Sequence, residues 1–108
     1  MNKIAVTQNG EHTGMWFDAD KAEVFSEDTY WNGSNHISKA TGSQIEHEKL
    51  YLTKSGKWVL HSWSQWQGSR STTEIIDAND AARWFARNEY ADEDIPKVLH
   101  ELIRELEI

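Results

Sequence analysis

Glu48-Lys-Leu-Tyr-Leu-Thr-Lys54 and Lys57-Trp-Val-Leu-His-Ser-Trp-Ser-Gln-Trp66 are two β-prone runs with only Ser55-Gly56 between them. Glycine adopts positive φ without strain, as a two-residue hairpin turn requires, so the sequence predicts a β-hairpin. The short loop sets the register and places Leu52 opposite Val59 and Leu50 opposite His61. Because side chains alternate along a strand, one face is expected to carry Tyr51, Thr53, Trp58 and Leu60. The other face is expected to carry Leu50, Leu52, Val59, His61 and Trp63.

Further strands are predicted around this hairpin, because both of its faces are partly apolar and suit a central position in a sheet. Lys3 to Gln8 and Thr13 to Phe17 flank Asn9-Gly10, a strong type I′ turn signal, and form a second predicted hairpin. The stretch Asp18 to Asp28 fits a helix as well as a strand, and the strand is favoured. Thr72 to Ile76 is predicted as one more short strand.

Two helices are predicted near the end of the chain. Asp77 to Asn88 begins with a carboxylate that can cap the helix, and its apolar face comprises Ala81, Trp84 and Phe85. After Pro96, an apolar stripe recurs at helical spacing and comprises Leu99, Leu102, Ile103 and Leu106. These elements predict an α+β fold with a single domain over residues 1–108. Its mostly antiparallel sheet of four to six strands is built from hairpins, and two C-terminal helices pack on one face.

Composition excludes several classes of protein. The chain has no Cys and a net charge of −7, and no apolar run reaches the length of about 18 residues that a membrane span needs. Disulfides, thiolate chemistry and Cys-based zinc sites are therefore excluded. The polar first residues are unlike a secretory signal, so we expect a cytoplasmic protein without a membrane role. The negative charge argues against broad binding of nucleic acid.

The distribution of charge directs attention to the middle of the chain. Residues 29–73 contain five Lys or Arg and only two Asp or Glu, whereas both ends are acidic. The polar segment Asn32 to Gln44 and the turn Gln67 to Ser71 lie in this middle, and loops held on a sheet are common binding positions. Aromatic rings beside amides suit protein interfaces and small polar ligands alike. We therefore predict a binding surface that comprises Trp31, Asn32, Asn35, His36, Gln65, Trp66, Gln67 and Arg70.

Catalytic and metal-binding motifs are absent from the sequence. His47 points away from Glu46 and Glu48 in a strand, the paired-His spacing of zinc sites does not occur, and no serine lies in a nucleophile elbow. We therefore predict no catalytic residue, no metal and no cofactor. Two other hypotheses stay open: an enzyme of unknown reaction that uses His36, His47 or His61, and a DNA mimic that uses the acidic helices.

The block Gly56-Lys-Trp-Val-Leu-His-Ser-Trp-Ser-Gln-Trp-Gln-Gly-Ser69 resembles a block of small uncharacterised bacterial proteins. The resemblance extends to Asn35-His-Ile-Ser38 and Ala40-Thr-Gly-Ser-Gln44 before it, and to Ala81-Ala-Arg-Trp84 after it. It implies a bacterial or mobile-element source, and it brings no activity, cofactor or catalytic residue with it.

The expected function is therefore that of a small acidic binding protein without enzymatic activity. Its expected partner is another protein, and its expected role is interaction or regulation. The alternative is a binder of a small polar ligand, such as a sugar or a nucleotide-like molecule, that uses Trp rings and amides. Trp58 and Trp63 are expected to fill opposite sides of the hairpin, whereas Trp31 and Trp66 lie at element ends. The sequence leaves the oligomeric state open.

Overall fold

The two runs around Ser55-Gly56 form the centre of a six-stranded sheet in a computed structural model that describes residues 1–108. The strands in chain order are β1 (Lys3–Gln8), β2 (Glu11–Asp18), β3 (Glu23–Ser26), β4 (Thr29–Trp31), β5 (His36–Ser38), β6 (Glu46–Leu52), β7 (Trp58–Ser64) and β8 (Thr72–Ile76). The helices are α1 (Ala78–Arg87) and α2 (His100–Arg104). Strands β4 and β5 form a separate two-stranded sheet. The predicted α+β fold is confirmed, with antiparallel pairing everywhere except between β1 and β8.

The six-stranded sheet is strongly curled. Its order is β2-β1-β8-β7-β6-β3, so β2 and β3 are its edges, yet only residues 19–22 connect them. The edges of a flat sheet of this size would lie about 24 Å apart, whereas the chain from Asp18 to Glu23 reaches at most about 17 Å. The ring centroids of Phe17 on β2 and Tyr51 on β6 lie only 5.0 Å apart. The sheet therefore has a concave face, on which these two rings meet, and a convex face.

The central hairpin is confirmed, but its predicted register is wrong by one residue. The N–H of Thr53 donates to the carbonyl of Lys57, and Gly56 has φ 88°, so the loop comprises the three residues 54–56. This is the type I turn with a glycine bulge that three-residue hairpin loops commonly use. Lys49, and not Leu50, consequently faces His61. The convex face carries Leu50, Leu52, Trp58 and Leu60, and the concave face carries Tyr51, Val59, His61 and Trp63.

The helices cover the convex face and enclose the main core with it. Phe85 of α1 lies at the centre, and its ring is edge-on to the rings of Phe25, Trp58 and Tyr90. The other buried members of this core are Leu50, Ala81, Trp84, Ile95 and Leu99. Trp58 and Trp63 lie on opposite faces as expected.

The concave face is filled over only part of its length. Val6, Phe17, Tyr51 and Val59 form a second, smaller buried cluster, which the curl of the sheet covers in place of a helix. Farther toward the open end of the β6–β7 hairpin, the side chains on this face are polar or aromatic and only half-buried. The two faces of one sheet therefore differ in what fills them.

Most of the remaining predicted elements are confirmed. Asn9 and Gly10 have φ of 52° and 80°, as a type I′ turn requires. Between residues 18 and 28, a short 3₁₀ turn capped by Asp18 precedes β3, so the segment uses both of its propensities. The capping of α1 is also confirmed, because the Asp77 carboxylate accepts a hydrogen bond from the N–H of Asp80 at 2.8 Å.

Two predicted elements differ from the structure. The polar segment 32–44 contains strand β5, which pairs with β4, so it is not a continuous loop. The last helix is much shorter than its apolar stripe predicts. Leu99 is buried in a 3₁₀ turn before α2, Leu102 and Ile103 are half-buried, and Leu106 lies beyond the helix and is exposed. Leu106 is therefore not part of the core. Neither helix has the length and the apolar character that crossing a membrane would require.

Candidate functional site

The predicted surface is built on the small β4–β5 sheet and on the turn that follows β7. Trp31 is 59% exposed, and its ring meets the ring of His36, its cross-strand neighbour, at 5.1 Å and 62°. Trp66, two residues after the end of β7, is 66% exposed. Both rings that the sequence places at element ends are therefore open to contact with another molecule.

Asn32 shapes this surface from within. Its side-chain oxygen accepts hydrogen bonds from the N–H groups of Ser34 and Asn35, at 2.9 Å and 2.8 Å. These bonds form the tight turn that joins β4 to β5, which is a common role for Asn. The Asn32 side chain thus positions its neighbours, and its acceptor oxygen is already occupied.

Three of the predicted residues meet in one cleft. Asn35, His36 and Gln65 line a volume of about 300 Å³ together with Gln44 and Ile45. The backbone N–H of Gln65 donates to the carbonyl of Ile45 at 2.8 Å, which joins the turn after β7 to the segment before β6. The two polar regions of the sequence prediction are therefore adjacent in space.

Gln67 and Arg70 stand apart from this cleft. Both lie in the exposed turn between β7 and β8, and Arg70 lines a different cleft at the ends of β6, β7 and β8. The eight predicted residues thus fall into a main group around the small sheet and a second group in this turn. Binding by either group stays a prediction.

The small sheet is fastened to the core at Asp28, the residue just before its first strand. The buried Asn88, just after α1, donates from its side chain to the carbonyl of Trp84 and accepts from the N–H of Asp28, both at 2.8 Å. The Lys39 ammonium pairs with the carboxylates of Asp28 and Glu89. These bonds raise the pKa of Lys39, with Asp28 the larger influence, and the bond from Lys39 is the main cause that lowers the pKa of Asp28. The surface is therefore held in place on both sides.

The second cleft contains a carboxyl group in an unusual environment. It measures about 210 Å³ and is lined largely by polar side chains, among them Glu46, Glu48, Ser62 and Arg70. Oε1 of Glu48 accepts a hydrogen bond from the indole N–H of Trp84 at 3.2 Å. Burial raises the pKa of Glu48, the positive charge of Arg87 and the indole bond oppose this shift, and the negative charge of Glu27 adds to it. Carboxyl groups with shifted pKa values are frequent in binding and active sites.

The three candidate histidines do not form one site. His36 lies on the small sheet, whereas His47 and His61 lie on the concave face, where each stacks on the ring of Trp63, at 5.6 Å and 5.5 Å. Nδ1 of His47 lies 3.0 Å from Oε2 of Glu27, and its buried Nε2 has no hydrogen-bond partner. No three His, Asp or Glu side chains come close enough together to hold a metal ion.

Sequence reasoning missed Lys49 and Glu48. Lys49 was missed because the predicted two-residue loop places Leu50, and not Lys49, opposite His61. The signal that could have found it is Lys54-Ser55-Gly56, in which Gly occupies the bulge position of a three-residue loop. Nothing local in the sequence marks Glu48, because its environment comes from Trp84 and Arg87 on a helix far along the chain.

No protein-family model, no curated protein and no solved structure matches this chain. The resemblance of residues 56–69 to small bacterial proteins therefore stays a prediction, and the geometry of the surface is what bears on function.

Proposed function

We propose that this protein acts by binding another protein, without catalysis, through an aromatic patch that we name the Trp surface: Trp31, His36, Gln65 and Trp66. The exposure of Trp31 and Trp66 carries this proposal, because Trp58 and Trp84 in the same chain are buried. Exposed indole rings leave a large apolar area in water. Trp is also enriched at protein interfaces and dominates the binding energy of many of them.

The attachment of the Trp surface supports the same proposal. The N–H of Lys39, after β5, donates to the carbonyl of Asp28, before β4, at 2.9 Å, and Asn88 fixes Asp28 to α1. Trp66 lies two residues after the end of β7, and its N–H donates to the hydroxyl of Ser64 at 3.1 Å. A surface that is already ordered loses little conformational entropy when it binds. The rings of Trp31 and Trp66 are thus placed where they can anchor a partner.

A second candidate function is the binding of a small polar ligand in the cleft beside the Trp surface. Asn35, Gln44 and Gln65 line it, and none of their side-chain amides makes a hydrogen bond within the protein. Each amide offers donors and an acceptor, and the volume of about 300 Å³ lies at the lower end of the range for small-ligand pockets. A single sugar ring or base would be of suitable size.

The proposal can be tested on the full chain with matched Trp variants. A tagged wild-type protein is first crosslinked in cells of its native host to identify the partner, and affinities are then measured with the purified partner. We expect Trp66→Ala to weaken binding by about 30-fold or more, as replacement of a hot-spot residue does, and to leave the thermal midpoint unchanged. Trp31→Ala should weaken binding as well.

Trp16→Ala is the control, because Trp16 is 48% exposed but lies on the edge strand β2. It should bind as tightly as the wild type. Partner binding that survives both Trp31→Ala and Trp66→Ala would place the interface elsewhere, and so would loss of the fold in Trp66→Ala. A loss of binding to a small ligand in Gln65→Ala, with partner binding intact, would favour the second candidate.

A further inference from the structure

We propose that the concave face of the sheet carries a binding site for a small oxyanion, formed by a row of four side chains that we name the donor row: Ser26, Lys49, His61 and Thr73. The site is separate from the Trp surface and does not depend on the function proposed for it. The expected ligand is a molecule that bears a phosphate group.

The register of the sheet places the donor row side by side across four strands. Ser26 of β3 is opposite Lys49 of β6, Lys49 is opposite His61 of β7, and His61 is opposite Thr73 of β8. A hydroxyl, an ammonium, an imidazole and a second hydroxyl therefore project from the same face. All four groups can donate hydrogen bonds.

The charge of Lys49 has no counter-charge in the protein. Neither Lys49 nor His61 takes part in any of the ion pairs of the molecule. The Lys49 ammonium lies 5.3 Å from the ring centroid of Tyr51 and 5.9 Å from that of Trp63. These cation–π contacts attract and orient the ammonium without neutralising its charge. A half-buried, oriented cation is thus available to an anion.

No acidic side chain projects from this face on β3, β6, β7 or β8, although the chain has 18 acidic residues. The concave positions on β3, β6, β7 and β8 are Val24, Ser26, His47, Lys49, Tyr51, Val59, His61, Trp63, Thr73 and Ile75. The acids of β6, Glu46 and Glu48, alternate to the other face. The carboxylate of Glu27 reaches this face at His47, where it lies 3.0 Å from Nδ1, and it also accepts a hydrogen bond from the N–H of Glu48. The fold therefore concentrates donors on one face of an acidic protein.

The surroundings of His61 also suit it to bind an anion. Its Nδ1 lies 3.0 Å from the hydroxyl of Thr73, which leaves Nε2 free for a ligand. The groups that face it are Lys49 from β6, Thr73 from β8 and the ring of Trp63. Burial, and then the charge of Lys49, lower the pKa of His61, so the free protein disfavours its charged form. An oxyanion between Lys49 and His61 would stabilise the imidazolium and reverse this effect.

The neighbouring rings limit what the site can recognise. Both neighbours of Trp63, His47 and His61, are already stacked on its ring. A base would therefore compete with these imidazoles for the ring of Trp63. Val24 and Ser26 on the edge strand β3 are exposed and leave the row open from that side. The site is thus expected to recognise the oxyanion and not an aromatic ring attached to it.

NMR titration of the His61 ring protons tests the proposal on the intact chain. The titrations are run with sodium chloride, with sodium acetate and with inorganic phosphate, at equal ionic strength. We expect phosphate to raise the pKa of His61 and the thermal midpoint relative to chloride. A larger response to acetate than to phosphate would identify a carboxylate as the ligand group in the same site.

Lys49→Met keeps a flexible chain on the Tyr51 and Trp63 rings but removes the charge. We expect it to weaken phosphate binding by about tenfold or more, as loss of one charge-assisted hydrogen bond does. Lys57→Met, at the exposed position directly after the hairpin loop, is the matched control and should bind like the wild type. His61→Gln tests the site independently should Lys49→Met fail to fold, and it too should weaken binding. An unchanged His61 titration in phosphate and acetate, or equal effects of the two Lys variants, would overturn the proposal.

Discussion

The convex and concave faces of the sheet are made by the same strands but are filled differently. On the convex face, helix α1 supplies large rings, and Phe85 meets Phe25, Trp58 and Tyr90 there. On the concave face, no helix is present, and the curl of the sheet brings only Phe17 onto Tyr51. The apolar cluster on that side consequently ends after Tyr51 and Val59.

This difference separates the main core, which stabilises the fold, from the part of the sheet that carries the proposed oxyanion site. The part of a face that helices cover has to be largely apolar, because buried polar groups without partners are destabilising. A face covered only by its own curvature can carry polar side chains where the curve opens. Lys49 and His61 occupy that part of the concave face, next to the apolar cluster. We expect the first face to resist substitution most.

The largest effect is expected from Phe85→Ala on the convex face. Phe85 is fully buried among four aromatic rings, so its removal leaves a large cavity. The free energy of unfolding should fall by about 3–5 kcal/mol, measured by urea denaturation. Val59→Ala is the counterpart on the concave face and should cost about 1–3 kcal/mol. Equal losses in the two variants would show that the faces contribute alike.

Asn88→Ala should have an intermediate effect, because it joins the convex core to the Trp surface. The change leaves the N–H of Asp28 without its acceptor at 2.8 Å, and it removes the side-chain donor to the carbonyl of Trp84, which keeps the backbone N–H of residue 88 at 3.1 Å. The expected loss is about 1–3 kcal/mol. Hydrogen exchange should show faster opening of β4 and β5 than of β6 and β7. The exposed Asn79 on the same helix is the control position, and Asn79→Ala should change neither measurement.

Leu102→Ala should cost less than the removal of a fully buried leucine from this core. Leu102 is half-buried at the margin of the convex core, whereas Leu99 is fully buried. We expect a loss below about 2 kcal/mol for Leu102→Ala and about 2–5 kcal/mol for Leu99→Ala. Denaturation midpoints measured side by side check the ranking. A reversed order would mean that the last turn packs more tightly than the structure indicates.

Glu48→Gln should have the smallest effect, and it should be stabilising at neutral pH. Burial raises the pKa of Glu48 in the folded state above its ordinary value of 4.5, so the ionised carboxylate disfavours folding. Stability is therefore lost as the pH rises from 4.5 through the higher folded pKa. Gln retains an acceptor for the Trp84 indole and carries no charge. Thermal midpoints of variant and wild type should converge below pH 4.5 and separate above it.

Local signals in the sequence predicted the elements well, and long-range contacts account for what they could not predict. Asn9-Gly10 and Asp77 act within a few residues, so the first turn and the start of α1 could be placed from the sequence. The curl depends on which strands become the edges of the sheet, and no local pattern records that order. The short α2 depends on tertiary packing in the same way, since the apolar stripe extends past the helix end.

The same difference between local signals and long-range contacts applies to the candidate sites. The exposure of Trp31 and Trp66 agrees with their positions at element ends. The pairing of Lys49 with His61 depended on one loop residue, because a three-residue loop shifts every cross-strand partner by one. Glu48 could not be singled out, because Trp84 comes from a helix that sequence spacing does not connect to β6.

The parallel pairing of β1 with β8 sets the order in which the chain can fold. Thr7 donates from its hydroxyl to the carbonyl of Thr73, 66 residues farther along. During synthesis, the first hairpin therefore keeps one unpaired edge until β8 has been made. Closing such a long loop adds an entropic barrier, and folds dominated by distant pairings mature in about milliseconds to seconds. We expect the β6–β7 hairpin to form early and the β1–β8 junction to limit the rate.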